Sequence, residues 1–542
     1  MSAGLGAFLV VVALLGATPH AIPQPAASPP IVGARYNLLR DGVATDVGAI
    51  RTPVIRWTFQ TNGSIATSPL AADVDGDGTL EVVLSEVRAG PAADASRLGY
   101  VLDSAGHAKY TVPLRYDASV AAIADLDGDG KPEIVFAEGS HTDHPGALGY
   151  RVFRGAGGAP AWAFTTPFIG GEGFFASPAV ADLDGDGKLD LVAGSMDHSV
   201  YALRGSDGAV LWHSAPLEHY VRNSPPLADL DGDGRLDVTV QTEAGVVHTY
   251  DAATGAPKWS ADLGDIVAAT PAIGDLDGDG KPEIVYSLVV EGGVVALHGD
   301  GTMLWTNTAH DFSYRGPTLV DVNGDGLRDV VEGDSGDPSI TAYRGTDGAI
   351  LWDTDLDAPW ASGPLVSADI DGDGVSEILA GSDAGLIVLN ARTGAIEWTF
   401  PLPPIRGEPL VRDIDGDGLA EIPVGAGDGK LYVLGTQPVA GTLRIEPRTL
   451  NLRSQGRWVS ARLDFAEPVA GDVDPSSLRL GGVAADRVDV LGDSAIRAKF
   501  PRGELASVLA PGAHVEVCAA GFLLNDRPFR VCDSIRVISP GR

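Results

Sequence analysis

A nine-residue acidic motif occurs eight times in this chain of 542 residues, and its period restricts the fold more than any other feature. The third copy lies in "ADLDGDGKLD", residues 181–190, where Asp182, Asp184, Asp186 and Asp190 surround two glycines. The first Asp of each copy stands at Asp73, Asp125, Asp182, Asp229, Asp275, Asp321, Asp369 and Asp413, with spacings of 44 to 57 residues. A unit of that length holds the four short strands of a propeller blade and exceeds most helical repeats. A second signal runs in phase with the first. Trp57, Trp162, Trp212, Trp259, Trp305, Trp352 and Trp398 each precede the next motif by 15 to 20 residues, and Tyr110 fills that place before Asp125.

One unit can be drawn from 178 to 213: "PAVADL", then the acidic loop into "LDLVAGS", "SVYALRG", and the aromatic strand "AVLWHS". Short runs separated by Gly-containing turns read as antiparallel strands, and the Trp side chains read as packing between neighbouring units. Eight loops and eight aromatic strands tally only if "VIRWTF" around Trp57 completes the unit begun before Asp413. Such a clasp closes the ring and removes the exposed sheet edges. The predicted fold is all-β: an eight-bladed β-propeller over residues 51–436, with a seven-bladed ring and one stray repeat as the alternative. High Gly and Pro content (70 and 37 residues) agrees with many turns and short strands.

In each motif positions 1, 3 and 5 carry oxygen ligands, position 6 is Gly, and position 9 is Asp or Glu. The sets begin with Asp73, Asp75, Asp77 and Glu81, then Asp125, Asp127, Asp129 and Glu133. Asp182, Asp184, Asp186 and Asp190 are followed by Asp229, Asp231, Asp233 and Asp237. Next come Asp275, Asp277, Asp279 and Glu283, then Asp321, Asn323, Asp325 and Asp329. Asp369, Asp371, Asp373 and Glu377 precede the last set, Asp413, Asp415, Asp417 and Glu421. Alternate oxygens around a tight Gly turn suit a hard cation with six or more oxygen ligands, which is Ca²⁺ rather than Zn²⁺. An EF-hand needs Glu at position 12 and flanking helices; only Glu332 meets the first condition, and every loop leads into a β-like run.

These loops resemble the FG-GAP repeats of integrin α-subunits and, more closely, the bacterial VCBS or FG-GAP-like variant. The resemblance covers all eight units. In place of "FG", the strand before the loop carries Pro four residues ahead of the first Asp in six copies: Pro69, Pro178, Pro225, Pro271, Pro317 and Pro409. The resemblance implies a calcium-binding propeller with up to eight structural Ca²⁺ ions, each tying two strands of a blade together.

The motif also explains the charge. The formal net charge is −35, and 31 of the 73 acidic residues lie in the loops. A surplus of this sign excludes nucleic acid, whose phosphates need a basic surface. Residues 1–21, with an apolar run from Leu5 to Leu15, read as a signal peptide too short to span a bilayer, with cleavage near Ala21. Residues 22–50 read as a Pro-rich linker. The mature chain is therefore expected to be secreted, extracellular, periplasmic or on the cell surface, monomeric, and without a membrane span.

Residues 437–542 leave the repeat and hold alternating runs such as "TLRIEP" and "VSARLDF", which read as a small immunoglobulin-like β-sandwich. Cys518 and Cys532 lie symmetrically about Asn525, as in a hairpin turning near Asn525 and Asp526. A disulfide is expected there, worth about 3 kcal/mol in the chain-entropy model. Two free buried thiols are the alternative.

On the face opposite the acidic loops, the connections between units do not repeat. They bring Phe174, Phe175, His219, Tyr220, Arg222, His310, Tyr314, Arg315, Trp360 and Arg406 towards the channel mouth. Aromatic and Arg side chains on loops over a rigid scaffold suit a carbohydrate or a protein partner. No Ser-His-Asp order or phosphate-binding Gly loop is present. The leading functional reading is a secreted, non-catalytic adhesion or recognition scaffold. Its alternative is a polysaccharide lyase, because a rhamnogalacturonan lyase family also uses a calcium-bearing eight-bladed propeller. Quinone-dependent dehydrogenases share the period and the Trp strands, but the vicinal Cys pair of their alcohol-oxidising members is missing from the repeats.

Overall fold

The computed structural model describes residues 32–33, 42–45, 48, 50–87, 97–114, 117–139, 149–166, 177–267, 269–290, 292–309, 313, 316–334, 338–356, 364–417, 419–436, 439–454, 456–524 and 527–539. The signal-peptide reading therefore lies outside the described residues.

Each acidic motif sits in its own antiparallel sheet, numbered here 1 to 8 by motif order. Sheet 3 shows the plan: Ala179–Ala181, Asp190–Gly194, Val200–Leu203 and Val210–His213 pair as neighbours in chain order. The two inner strands are buried at every position because both faces meet other sheets. The outermost strand alternates, as in the exposed–intermediate pattern of Ile350–Asp355.

Sheet 8 is completed from the other end of the repeat region. Val54–Gln60 pairs antiparallel with Lys430–Gly435, which pairs in turn with Ile422–Gly425. Eight apolar clusters join consecutive sheets, and the one containing Val82, Leu84, Ile414 and Leu431 joins sheet 8 to sheet 1. The cycle of sheet contacts is thus closed, giving a propeller-like arrangement.

The aromatic strands stitch the cycle. The indole Nε1 of Trp162 donates to Gly205 O of the next sheet at 2.7 Å, and Trp212, Trp259, Trp305 and Trp352 repeat the bond to Ala252, Gly299, Gly345 and Ala391. At the closure Trp57 lies against Gly106 of sheet 1. That residue has φ 85°, and a Cβ there would stand 2.5 Å from the indole ring. Only glycine fits that turn.

The stretch expected to be a linker does more than connect. Val32–Gly33 pairs antiparallel with the innermost strand of sheet 2, at Ala122 and Ile123. Further on, the Ala44 amide donates to Ser367 O at 2.8 Å, Gly48 to Asp369 O at 3.0 Å, and Ile50 to Ile370 O at 2.6 Å. This strap runs parallel to the innermost strand of sheet 7 and buries Ala44 and Ile50 in the core between sheets 7 and 8. An unpaired inner edge would leave a row of amides and carbonyls unsatisfied, which the strap prevents in part.

Residues 439–539 form two further sheets around one apolar core. Thr449–Asn451 pairs parallel with Pro528–Ile538, and Gly512–Phe522 pairs antiparallel with that same strand. Cys518 and Cys532 face each other in this ladder and are disulfide-bonded, while Asn525 and Asp526 lie outside the described residues. No helix among the described residues is long and apolar enough to cross a membrane.

Candidate metal loops and the opposite face

In sheets 1 to 7 the acidic loop leaves the end of the first strand and enters the second, and in sheet 8 it is spanned by a single bridge between Arg412 and Glu421 before entering Ile422–Gly425. Its internal hydrogen bonds follow from the residue types. In the loop at 182–190 the Gly185 and Gly187 amides donate to Asp182 Oδ1 and Oδ2 at 2.8 and 3.0 Å, and the Leu183 amide donates to Asp190 Oδ2 at 3.2 Å. Both glycines are left-handed, with φ of 78° and 85°, which brings their amides round to the first Asp. The same three bonds recur in the loops beginning at Asp73, Asp125, Asp229, Asp275, Asp321 and Asp369. In the last loop Ile414 donates to Glu421 in the same way.

The turn thus orients one set of oxygens and leaves another converging. One oxygen each from Asp73, Asp75 and Glu81, from Asp125, Asp127 and Glu133, and from Asp182, Asp184 and Asp186 lie within 4.8 Å of one another. Oxygens so spaced can share a cation at the distance of about 2.4 Å that Ca²⁺ requires. Glu377 supplies the sharpest evidence of fit. It is 1 % exposed, its Oε2 accepts the Ile370 amide at 2.8 Å, and its Oε1 has no hydrogen-bond partner. A buried carboxylate oxygen left so is costly unless a cation reaches it.

Electrostatics agree. Burial, reinforced by the Asp371 and Glu397 charges, pushes the Glu377 carboxyl up from its ordinary 4.5 to about 8. Burial and the Asp415 charge do the same to Glu421, to about 8, and burial raises Glu133 to about 7. The metal-free folded chain therefore holds protons that the unfolded chain releases above pH 4.5. Its stability should be greatest at mildly acid pH and fall as pH rises through about 8. Melting in chelator at pH 5.5 and 8.5 checks this; equal or higher stability at the alkaline end would refute it.

The opposite face carries the turns between second and third strands and the connections between sheets. Of the residues expected there, Phe174, Phe175, His310, Tyr314, Arg315 and Trp360 lie outside the described residues. His219, Tyr220 and Arg222 come together at the junction of sheets 3 and 4. Their connection is held by the Leu217 amide on His198 O at 2.7 Å and by the Glu243 amide on Tyr220 O at 2.9 Å. The Tyr220 ring stands edge-on to His198 and His219, with centroids 4.9 and 4.7 Å away. Glu243 pairs with His219 Nδ1 at 3.5 Å and with Arg222 at 3.3 Å. Arg406 lies apart from this group and pairs with Asp383 in a turn of sheet 7 at 2.6 Å. His198, which the sequence places in a turn that can reach this face but reads as a surface histidine, is a member of the group. It has a φ of 70°, unusual for a residue with a Cβ, and its ring lies 4.9 Å from that of Tyr220.

Comparison with known proteins supports the repeat and the fold. The FG-GAP-like repeat family matches residues 125–193, 182–240 and 229–286. The family of the outer membrane protein assembly factor BamB matches residues 290–444. The chain is similar to the europium-containing methanol dehydrogenase, at 12% identity and TM-score 0.55, covering 74% of this chain and 97% of that one. The quinohemoprotein alcohol dehydrogenase from Comamonas testosteroni is 12% identical with TM-score 0.54, covering 77% and 83%. The V. cholerae biofilm matrix protein Bap1 is 15% identical with TM-score 0.52, covering 72% and 91%. No curated protein sequence matches the chain. These likenesses show FG-GAP-like repeats over residues 125–286 and a propeller-like all-β fold, one shared by two dehydrogenases and a matrix protein alike.

Proposed function

We propose that the protein is an exported, calcium-stabilised eight-bladed β-propeller that presents a recognition surface for a carbohydrate or protein partner and performs no catalysis. The observation that carries this reading is the asymmetry of the two faces. One face repeats a single all-oxygen loop in every sheet, a pattern that suits structural cations and no reaction. The other gathers dissimilar side chains on non-repeating connections, as at His219, Tyr220 and Arg222. Eight sheets and a closed cycle of apolar clusters support the blade count. The disulfide suits an oxidising compartment, and the C-terminal pair of sheets suits an immunoglobulin-like sandwich. Calcium would be held by the carboxylates of the loops and would supply charge neutralisation and strand cross-linking.

Glycan-array screening of the full chain tests the surface. Binding should fall at least tenfold for Tyr220→Ala with Arg222→Ala, while the melting temperature stays within about 2 °C, as surface changes usually do. Binding unaffected by the pair would move the site elsewhere. Turnover of a uronate polysaccharide to an unsaturated product would replace this reading with the lyase.

A further inference from the structure

All eight sheets carry a β-bulge at the same place. In the ladder between the last two strands, pairing steps from Ile55 to Trp57, from Ala108 to Tyr110, from Pro160 to Trp162 and from Val210 to Trp212. It steps likewise from Pro257 to Trp259, Met303 to Trp305, Ile350 to Trp352 and Ile396 to Trp398. The skipped residue is always the one before the aromatic. A bulge takes that side chain out of the strand's alternation and re-aims it. The eight skipped residues are Arg56, Lys109, Ala161, Leu211, Lys258, Leu304, Leu351 and Glu397.

Where the skipped residue is cationic, it enters the acidic loop of its own sheet. Lys109 Nζ lies 2.6 Å from Asp75, 3.1 Å from Asp77 and 2.8 Å from Glu81. Lys258 Nζ lies 2.8 Å from Asp231 and 2.6 Å from Asp237, with Asp233 at 3.8 Å. Arg56 reaches Asp415 at 2.9 Å and Glu421 at 3.1 Å. Each cation meets the ninth-position oxygen that the loop's own amide leaves over: Glu81 Oε1, Asp237 Oδ1 or Glu421 Oε1.

The other five loops differ at that oxygen. In two of them it accepts a backbone amide, Gly205 N on Asp190 at 3.1 Å and Gly345 N on Asp329 at 2.9 Å. At Glu283 it meets His298 Nδ1 at 3.3 Å. Beside the loop at 125–133, Arg154 approaches Asp127 and Asp129 at 3.3 and 3.6 Å from a half-exposed position on the third strand. At Glu377 the oxygen is buried and has no hydrogen-bond partner, and the skipped residue there is a further acid, Glu397. A cation beside that loop, Arg51, pairs with Asp371 at 3.2 Å from a half-exposed position.

We propose that Lys109, Lys258 and Arg56 take the place of a metal ion, so that three of the eight loops are closed by a tethered cation and divalent ions bind at the remaining five. The inference rests on the calcium reading above and divides its sites. An ammonium or guanidinium among these carboxylates competes for the same oxygens as Ca²⁺ and repels it at that spacing. Being part of the chain, it is present at any calcium concentration. Sheets 1, 4 and 8 therefore keep their loops closed in calcium-poor surroundings, and sheet 8 is the one that closes the cycle.

Elemental analysis and calorimetric titration of the calcium-equilibrated full chain provide the test. The expected content is five Ca²⁺ per chain, rising to six in Lys109→Met or Lys258→Met and to seven in the double variant. Glu377→Gln should lose one ion, and Leu211→Lys, which places a cation at the bulge of sheet 3, should also lose one. The Leu211→Lys arm decides the matter even where a Lys→Met variant fails to fold. Eight ions in the wild-type chain, or an unchanged count in Lys258→Met and Leu211→Lys, would overturn the inference and leave the calcium reading standing. No calcium in any variant would overturn both.

Discussion

Removing calcium with EGTA should lower the melting temperature of the full chain by on the order of 10 °C. In sheets 1 to 7 the loop joins the end of a first strand to the start of a second, so an ion there links two strands at the edge of the sheet's hydrogen-bonded ladder. Without a counter-ion the converging carboxylates repel, and Glu377 and Glu133 are held above their ordinary range by burial. Extracellular oxygen sites bind with dissociation constants of about 10⁻⁴ to 10⁻³ M. At ten times that concentration one site adds about 1.4 kcal/mol, and five sites about 7 kcal/mol. Spread over an unfolding entropy of about 0.8 kcal/mol/K for a region of this size, that is roughly 9 °C. Calorimetry in Ca²⁺, in EGTA, and in EGTA with excess Mg²⁺ would measure it. Mg²⁺ should restore little, because it demands a near-ideal octahedral site. A melt indifferent to EGTA would sink the calcium reading.

Deleting residues 1–60 should leave a chain that associates, and Trp57→Ala should weaken the intact chain by about 3 kcal/mol. The eighth sheet has two strands of its own after the loop, Ile422–Gly425 and Lys430–Gly435, and takes its outer strand from Val54–Gln60. Without that strand the Lys430–Gly435 edge presents unpaired amides and carbonyls to any passing chain. Trp57 and Phe59 also pack on the apolar cluster that joins sheets 8 and 1, and Trp57 covers Gly106. The deletion further removes the strap on sheets 2 and 7. Size-exclusion chromatography should show oligomers for the deletion and a monomer for Trp57→Ala. A truncated chain that stays monomeric and melts like the full one would show that the clasp is dispensable. Gly106→Val strains the same contact from the other side and should destabilise by about 2 kcal/mol or more, since φ there is 85°.

Much of the architecture was legible from the residues alone. Loop spacing, the in-phase Trp strands and the surplus strand at Trp57 led to sheets of four and to a clasp, and the ladder between Val54–Gln60 and Lys430–Gly435 is that clasp. Three features escaped. The strap at 42–50 looks like a linker because its pairing lies in backbone amides on Ser367 to Ile370, which carry no side-chain signature. The bulge cations were visible as Arg56, Lys109 and Lys258 beside their aromatics, but strand alternation alone does not turn a side chain into a loop on another strand. The grouping of His198 with His219 and Tyr220 needed the connection to fold back across a turn.

The division follows from how far the determining contacts reach along the chain. The acidic loop is a local object: its oxygens and amides lie within nine positions, so the spacing of Asp182, Asp184, Asp186 and Asp190 by itself determined the turn and the kind of ion it suits. Repetition of that object determined the sheets. Which loops receive a cation of the chain's own was decided only by the tertiary structure, because that cation arrives from 28 residues away at Lys109 and from 365 residues away at Arg56. A bulge, set by the pairing of whole strands, aims it there.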